Sequence, residues 1–163
     1  MVASRLIHLI ESHSREVART VAGRICGSRQ ASSLQTIPEG EIYAKTQDLL
    51  DHLGEWLLTK SDADIRRRYF DNGVSRASQG IALADLCRSI VLTKQYLWEY
   101  LQNQAFARTA AEIYGEMELW RLLDQFFDRA LCYTVEGYES ASPRRVPIAR
   151  KKQPKIEGIG WSI

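Results

Sequence analysis

Residues 66–86 read RRRYFDNGVSRASQGIALADL. Three consecutive arginines, a tyrosine, two glycines and a further arginine between them are more than an amphipathic helix requires. On a helix, Ile65, Tyr69, Asn72 or Gly73, and Arg76 share one face at spacings of three or four. A glycine inside a helix costs about 1 kcal/mol relative to alanine, so Gly73 marks a place where another helix, or a ligand, comes close. Arg76 falls where the same helix buries its side chains. Two readings of it stay open. Its stem can pack while its guanidinium pairs with an acid or a helix-end carbonyl, or it can offer a planar fork to a carboxylate or phosphate ligand. Arg66, Arg67 and Arg68 are consecutive, point in different directions and read as a solvated charge run. Gly80 is placed as a left-handed helix stop, with Leu83 and Leu86 opening the next helix.

Outward from this corner the pattern is helical throughout. Leu6, Ile10, His13, Val17, Val21 and Ile25 recur every three to four residues, which predicts a helix from about Ser4 to Cys26, ended by Gly27. Residues 28–40 are polar, contain a proline and read as a loop. Ile42, Leu49, Leu50, Leu53, Trp56 and Leu57 mark a second helix. Ser61-Asp62-Ala63-Asp64 resembles an N-terminal cap, opening a third that runs to about Ser78. Leu83 to Leu101 and Ile113 to Tyr138 mark two more, with the chain reversing near 103–109. Strand signals are nearly absent. The expected fold is all-α: a single-domain bundle of about five helices over residues 1–141, followed by a basic tail containing proline and glycine over 142–163.

Composition agrees with one globular domain. The 163 residues are 45% hydrophobic and 26% charged, as in ordinary soluble proteins. No apolar run approaches the roughly 18–20 residues that cross a bilayer, and His8, Glu11 and His13 interrupt what would be the core of a secretory signal. A cytoplasmic protein is expected. Six of the 22 basic residues but one of the 20 acids lie from Pro143 onward, which leaves the preceding body acidic by three charges. That argues against a nucleic-acid-binding body. The tail, with Arg150, Lys151, Lys152 and Trp161, is expected to dock a partner, the alternative being an electrostatic arm for nucleic acid. Cys26, Cys87 and Cys132 form no CxxC pair and read as buried free thiols on apolar helix faces.

The order Tyr69–Gly73–Arg76–Gly80–Ile81–Ala82–Leu83–Leu86 resembles the signature of the RsbRD-type N-terminal domain. That domain is found at the front of stressosome RsbT co-antagonists and, in related form, in some sensor kinases and PucR/CdaR-like regulators. The family pattern is an aromatic or apolar residue, then G-x-x-R-x-x-x-G-[IV]-P-L-x-x-L, then a long helix with a mid-helix aromatic, here Tyr96 or Trp98. Ala82 replaces the motif proline, and losing the preset φ is expected to loosen the turn. The resemblance implies a globin-related or bundle-like sensory domain without haem, usually a dimer, that passes a signal to an output domain. No length remains here for a STAS, kinase or DNA-binding output. A free-standing module, homodimeric and acting through a protein partner, is therefore expected, with a small-molecule ligand as one source of signal.

His8, His13 and His52 lie on the first two helices, none where a globin's proximal ligand falls, and His13 borders an apolar stripe. No Gly-rich phosphate loop, HExxH, GxSxG, EF-hand or Glu-x-x-His pattern occurs. Acid pairs such as Asp124 and Asp128 read as solvated surface. Trp120, Phe126, Phe127, Tyr133 and Tyr138 form a stripe that suits core, interface or a ligand site between helices. The expectation is no catalytic residue, no metal and no cofactor.

Overall fold

The computed structural model describes residues 2–104 and 109–142, which are almost entirely helical and contain no strand. Seven α-helices follow in order: α1 Val2–Ser12, α2 Ser14–Gly27, α3 Glu39–Asp51, α4 Leu53–Leu58, α5 Asp62–Ser78, α6 Leu83–Gln104 and α7 Ala110–Ala141. Between α2 and α3 lies a 3-10 segment, Arg29–Thr36, where a plain loop was expected. It buries Ala31 and Leu34.

Two expected helices are each broken in two, which is why about five become seven. The breaks fall at His13 (φ −113°, ψ 17°) and His52 (φ −119°, ψ 25°). In both, the imidazole Nδ1 lies 2.9 Å from the carbonyl oxygen four residues back, Leu9 O and Asp48 O. Each histidine thus caps the helix it ends. The breaks also bind one another: the Gly54 amide donates to Glu11 Oε1 at 2.8 Å, and the Ser14 hydroxyl donates to the Asp51 carboxylate. An amide freed at the start of α4 is satisfied by a carboxylate beside the first break. His13 is accordingly exposed, not part of an apolar stripe.

The 32-residue α7, roughly 48 Å long, is the axis of the bundle. It packs most extensively on α5 and also touches α1, α4 and α6. Leu119, Leu123, Phe126, Phe127 and Ala130 carry its buried face against Ile10, Leu50, Leu53, Ile65 and Leu97. Both α5 and α7 begin with a capping box, Ser61 with Asp64 and Thr109 with Glu112, which satisfies amides that have no intrahelical partner. The first matches expectation; the second is a T-x-x-E pattern that starts α7 three residues before the apolar stripe begins. No helix of the described residues is long and apolar enough to cross a membrane.

Candidate functional site

On α5, Ile65, Tyr69, Gly73 and Arg76 all face inward and are buried. They do different things. At Gly73 the backbone of α7 comes so near that an added Cβ would lie 2.1 Å from Thr134 O and 2.7 Å from Tyr138 N. Gly137 is the reciprocal contact, its hypothetical Cβ 2.0 Å from Phe70 O. The two helices therefore touch backbone to backbone, which only glycine permits. Gly80 has φ +73° and turns the chain toward α6. Leu83, half-buried, begins that helix.

The turn is tied rather than loose. Ala82 keeps the N–H that a proline would lack, and it donates to Ser33 Oγ at 3.1 Å. The Ser33 hydroxyl in turn donates to Asp85 Oδ2 at 2.6 Å, and the Ser33 amide donates to the same oxygen at 2.9 Å. These bonds, the hydroxyl first, hold the Asp85 carboxyl below its usual range.

One turn beyond Gly73, α5 faces a cavity of about 470 Å³, within the size range of small-molecule sites. Its walls come from α2, the 3-10 segment, α3, α5, α6 and α7. Ile25, Leu34, Ile42, Leu86, Ile90 and Phe127 supply the apolar lining; Arg76, Arg68, Lys45, Asp48 and Asp71 supply the charge. Arg76 is buried, with Nη1 donating to Gln79 Oε1 at 2.7 Å and pairing with Glu41 Oε1 at 3.0 Å. Lys45 Nζ reaches the same glutamate oxygen at 3.8 Å. Partial burial, and after it the Arg76 charge, hold Lys45 below the usual lysine value. Tyr69 packs edge-on against Phe126, 5.7 Å between ring centres, and burial pushes its phenol up to about 12 against the opposing influence of Arg68.

Other candidates lie apart from this site. Arg66 and Arg67 are exposed and pair with Glu136 and Asp64, as a solvated charge run would. Arg68 pairs with Asp48 at 2.9 Å on the cavity wall. Of the aromatic stripe, Phe127 lines the cavity; Trp120 instead stacks on Trp98 at 3.6 Å, and Tyr133 donates to Asp62 at 2.6 Å. The thiols are not deeply buried: Cys26 and Cys87 are half-buried and Cys132 is exposed. Among the described residues no group of histidine, cysteine and acid side chains could hold a metal ion. Arg150, Lys151, Lys152 and Trp161 lie outside the described residues. Sequence reasoning missed Glu41, Lys45 and Ser33, since partners contributed by other elements leave no local pattern.

Neither a curated protein nor a solved structure matches the chain. A family model does: the RsbT co-antagonist protein rsbRD N-terminal domain matches residues 15–147. That span takes in the helix-stop-helix corner, the cavity and the α5–α7 contact together. The chain therefore belongs to the RsbRD N-terminal domain family, a family of signal-transduction sensory domains.

Proposed function

We propose that this chain is a non-enzymatic cytoplasmic sensory module that works as a homodimer. It reads a small ligand in the cavity beside Arg76 and passes the change to a protein partner carrying the output. A partner from the system of the RsbT co-antagonists is the expected receiver, on the strength of the family. The observation that carries the reading is a short path of bonds from the cavity to the end of α7. The Ile81 amide donates to Arg76 O at 3.1 Å, and the Tyr138 hydroxyl donates to Ile81 O at 2.7 Å. A shift of Arg76 is thus felt at Tyr138 through two hydrogen bonds. The dimer has a candidate surface in Ile113, Tyr114 and Met117, which leave large apolar side chains exposed on the first turns of α7.

Filling the cavity tests this without knowing the ligand. Ser89 lines it, and Ser89→Phe should change amide exchange over residues 134–141. Tyr138→Phe, which removes one bond worth about 1 kcal/mol, should blunt that response. Unchanged exchange in the last turns of α7 on filling the cavity would sink the proposal. Sedimentation equilibrium checks the dimer, and a monomer at every concentration removes that part.

A further inference from the structure

We propose, building on the sensory reading above, that the cavity is a site for a small monocarboxylate with an apolar body, whose carboxylate takes the place of Glu41 on Arg76. Two charged residues are buried among the described residues, Arg76 and Asp85, and they are neutralised in opposite ways. Asp85 is held by the amide and hydroxyl of Ser33, groups fixed to the chain. Arg76 is held by two side chains rooted at the surface: Glu41, itself 41% exposed, and the exposed Gln79. A counter-ion that already borders water is one that another anion can displace.

The lining defines what that anion is. Both contacts of Arg76 use Nη1, and a guanidinium offers a second edge suited to bidentate pairing with a carboxylate. The group now on the arginine is itself a carboxylate. Arg68 and Asp48 on the cavity wall neutralise each other, which leaves Arg76 and Lys45 one positive charge in excess of Asp71, the excess that a singly charged head balances. On the α3 and α6 walls three hydroxyls are already satisfied. Thr46 Oγ1 donates to Ile42 O and Thr93 Oγ1 to Ser89 O, each at 2.8 Å, and Ser89 Oγ donates to Leu86 O at 2.7 Å. These hydroxyls turn back onto their own helices, so the part of the wall they share with Ile25, Leu34, Ile90 and Phe127 accepts hydrocarbon.

Calorimetric titration of the full chain with octanoate, octan-1-ol and octylammonium, and with 3-phenylpropanoate as an aromatic acid, tests the assignment. One of the acids should bind at least about tenfold tighter than octan-1-ol, and octylammonium should bind weakest. Glu41→Gln, a change at an exposed side chain, should tighten the acid several-fold because the competing carboxylate is gone. Ser89→Phe should abolish binding. Equal affinity for acid and alcohol, binding that survives Ser89→Phe, or no acid binding to both the natural chain and Glu41→Gln would each overturn the inference. Those failures are separable from failure of the sensory reading. The exchange response to Ser89→Phe needs no ligand, so it can stand while the carboxylate inference falls, and its absence counts against the sensory reading whatever the acids do.

Discussion

Gly73 and His52 show how much a single side chain, or its absence, decides in this fold. A methyl group at Gly73 would meet backbone atoms of Thr134 and Tyr138, and backbone cannot swing aside as a flexible side chain can. Gly73→Ala should therefore cost about 3 kcal/mol, at the upper end of overpacking, read as a lower urea midpoint. Gly137→Ala should behave alike. The position of Gly73 was legible in the sequence, because a helix-interior glycine on a buried face asks for a reason. Its mate Gly137 lies in a strongly periodic helix and raised no such question. For His52 the relevant property is charge. The Asp48 carbonyl, ahead of the nearby carboxylates, raises its imidazole above the ordinary histidine value. Since the folded-state value is the higher one, the stabilisation is complete below the unfolded value and is lost as pH rises through the folded one. A proton titration followed by NMR should place His52 above a model histidine. Asp48→Asn should remove only part of the shift, because the carbonyl remains. A return to the ordinary value in that variant would show that the carboxylate, not the capping bond, is responsible.

Among the elements, the start of α6 depends on a residue fifty positions earlier. Ser33 accepts from Ala82 and donates to Asp85, so Ser33→Ala should cost about 1–2 kcal/mol. Restoring the motif proline with Ala82→Pro removes the N–H that Ser33 serves. In that background Ser33→Ala should cost less, by about 1 kcal/mol. Equal costs in a double-mutant cycle of thermal unfolding would mean that the Ala82 bond contributes nothing. The sequence announced the missing proline but not its replacement, which comes from a segment that reads as loop. The helix breaks were hidden for a related reason. Apolar spacing continues through His13 and His52 with no proline or glycine at either position. The breaks are joined by a pairing between Glu11 and Gly54 and between Ser14 and Asp51, visible only when both segments are together. By contrast, α5 follows directly from its periodicity and its cap, and α6 and α7 follow from periodicity.

At the scale of the molecule, the acidic body and the basic C-terminal segment are separate matters. A body with net negative charge has no electrostatic reason to hold nucleic acid. Truncation at Pro143 should leave the behaviour of the chain in a DNA- or RNA-binding assay unchanged at two salt concentrations. Retention that depends on the segment and weakens steeply with salt would assign it instead as a nucleic-acid arm. The all-helical architecture was legible in the apolar periodicity of the whole body, and the family in some twenty residues around Arg76. The cavity was not, because its walls come from six elements whose meeting no single stretch encodes.

The backbone contact between Gly73 and Gly137 has a mechanical consequence. Helices that meet through side chains can slip past each other by changing rotamers, but bare backbones in contact have nothing to rearrange. The α5–α7 crossing therefore serves as a pivot pin: the helices can turn about it more readily than they can slide through it. About 40 Å of helix separates Gly137 from Ala110, so a small rotation beside the cavity becomes a large sweep at the far end of α7. Ile113, Tyr114 and Met117 ride on that end, and the packing that must yield to let them move is the side-chain contact of α7 with α1, α4 and α6 and with the rest of α5, such as Tyr69 on Phe126.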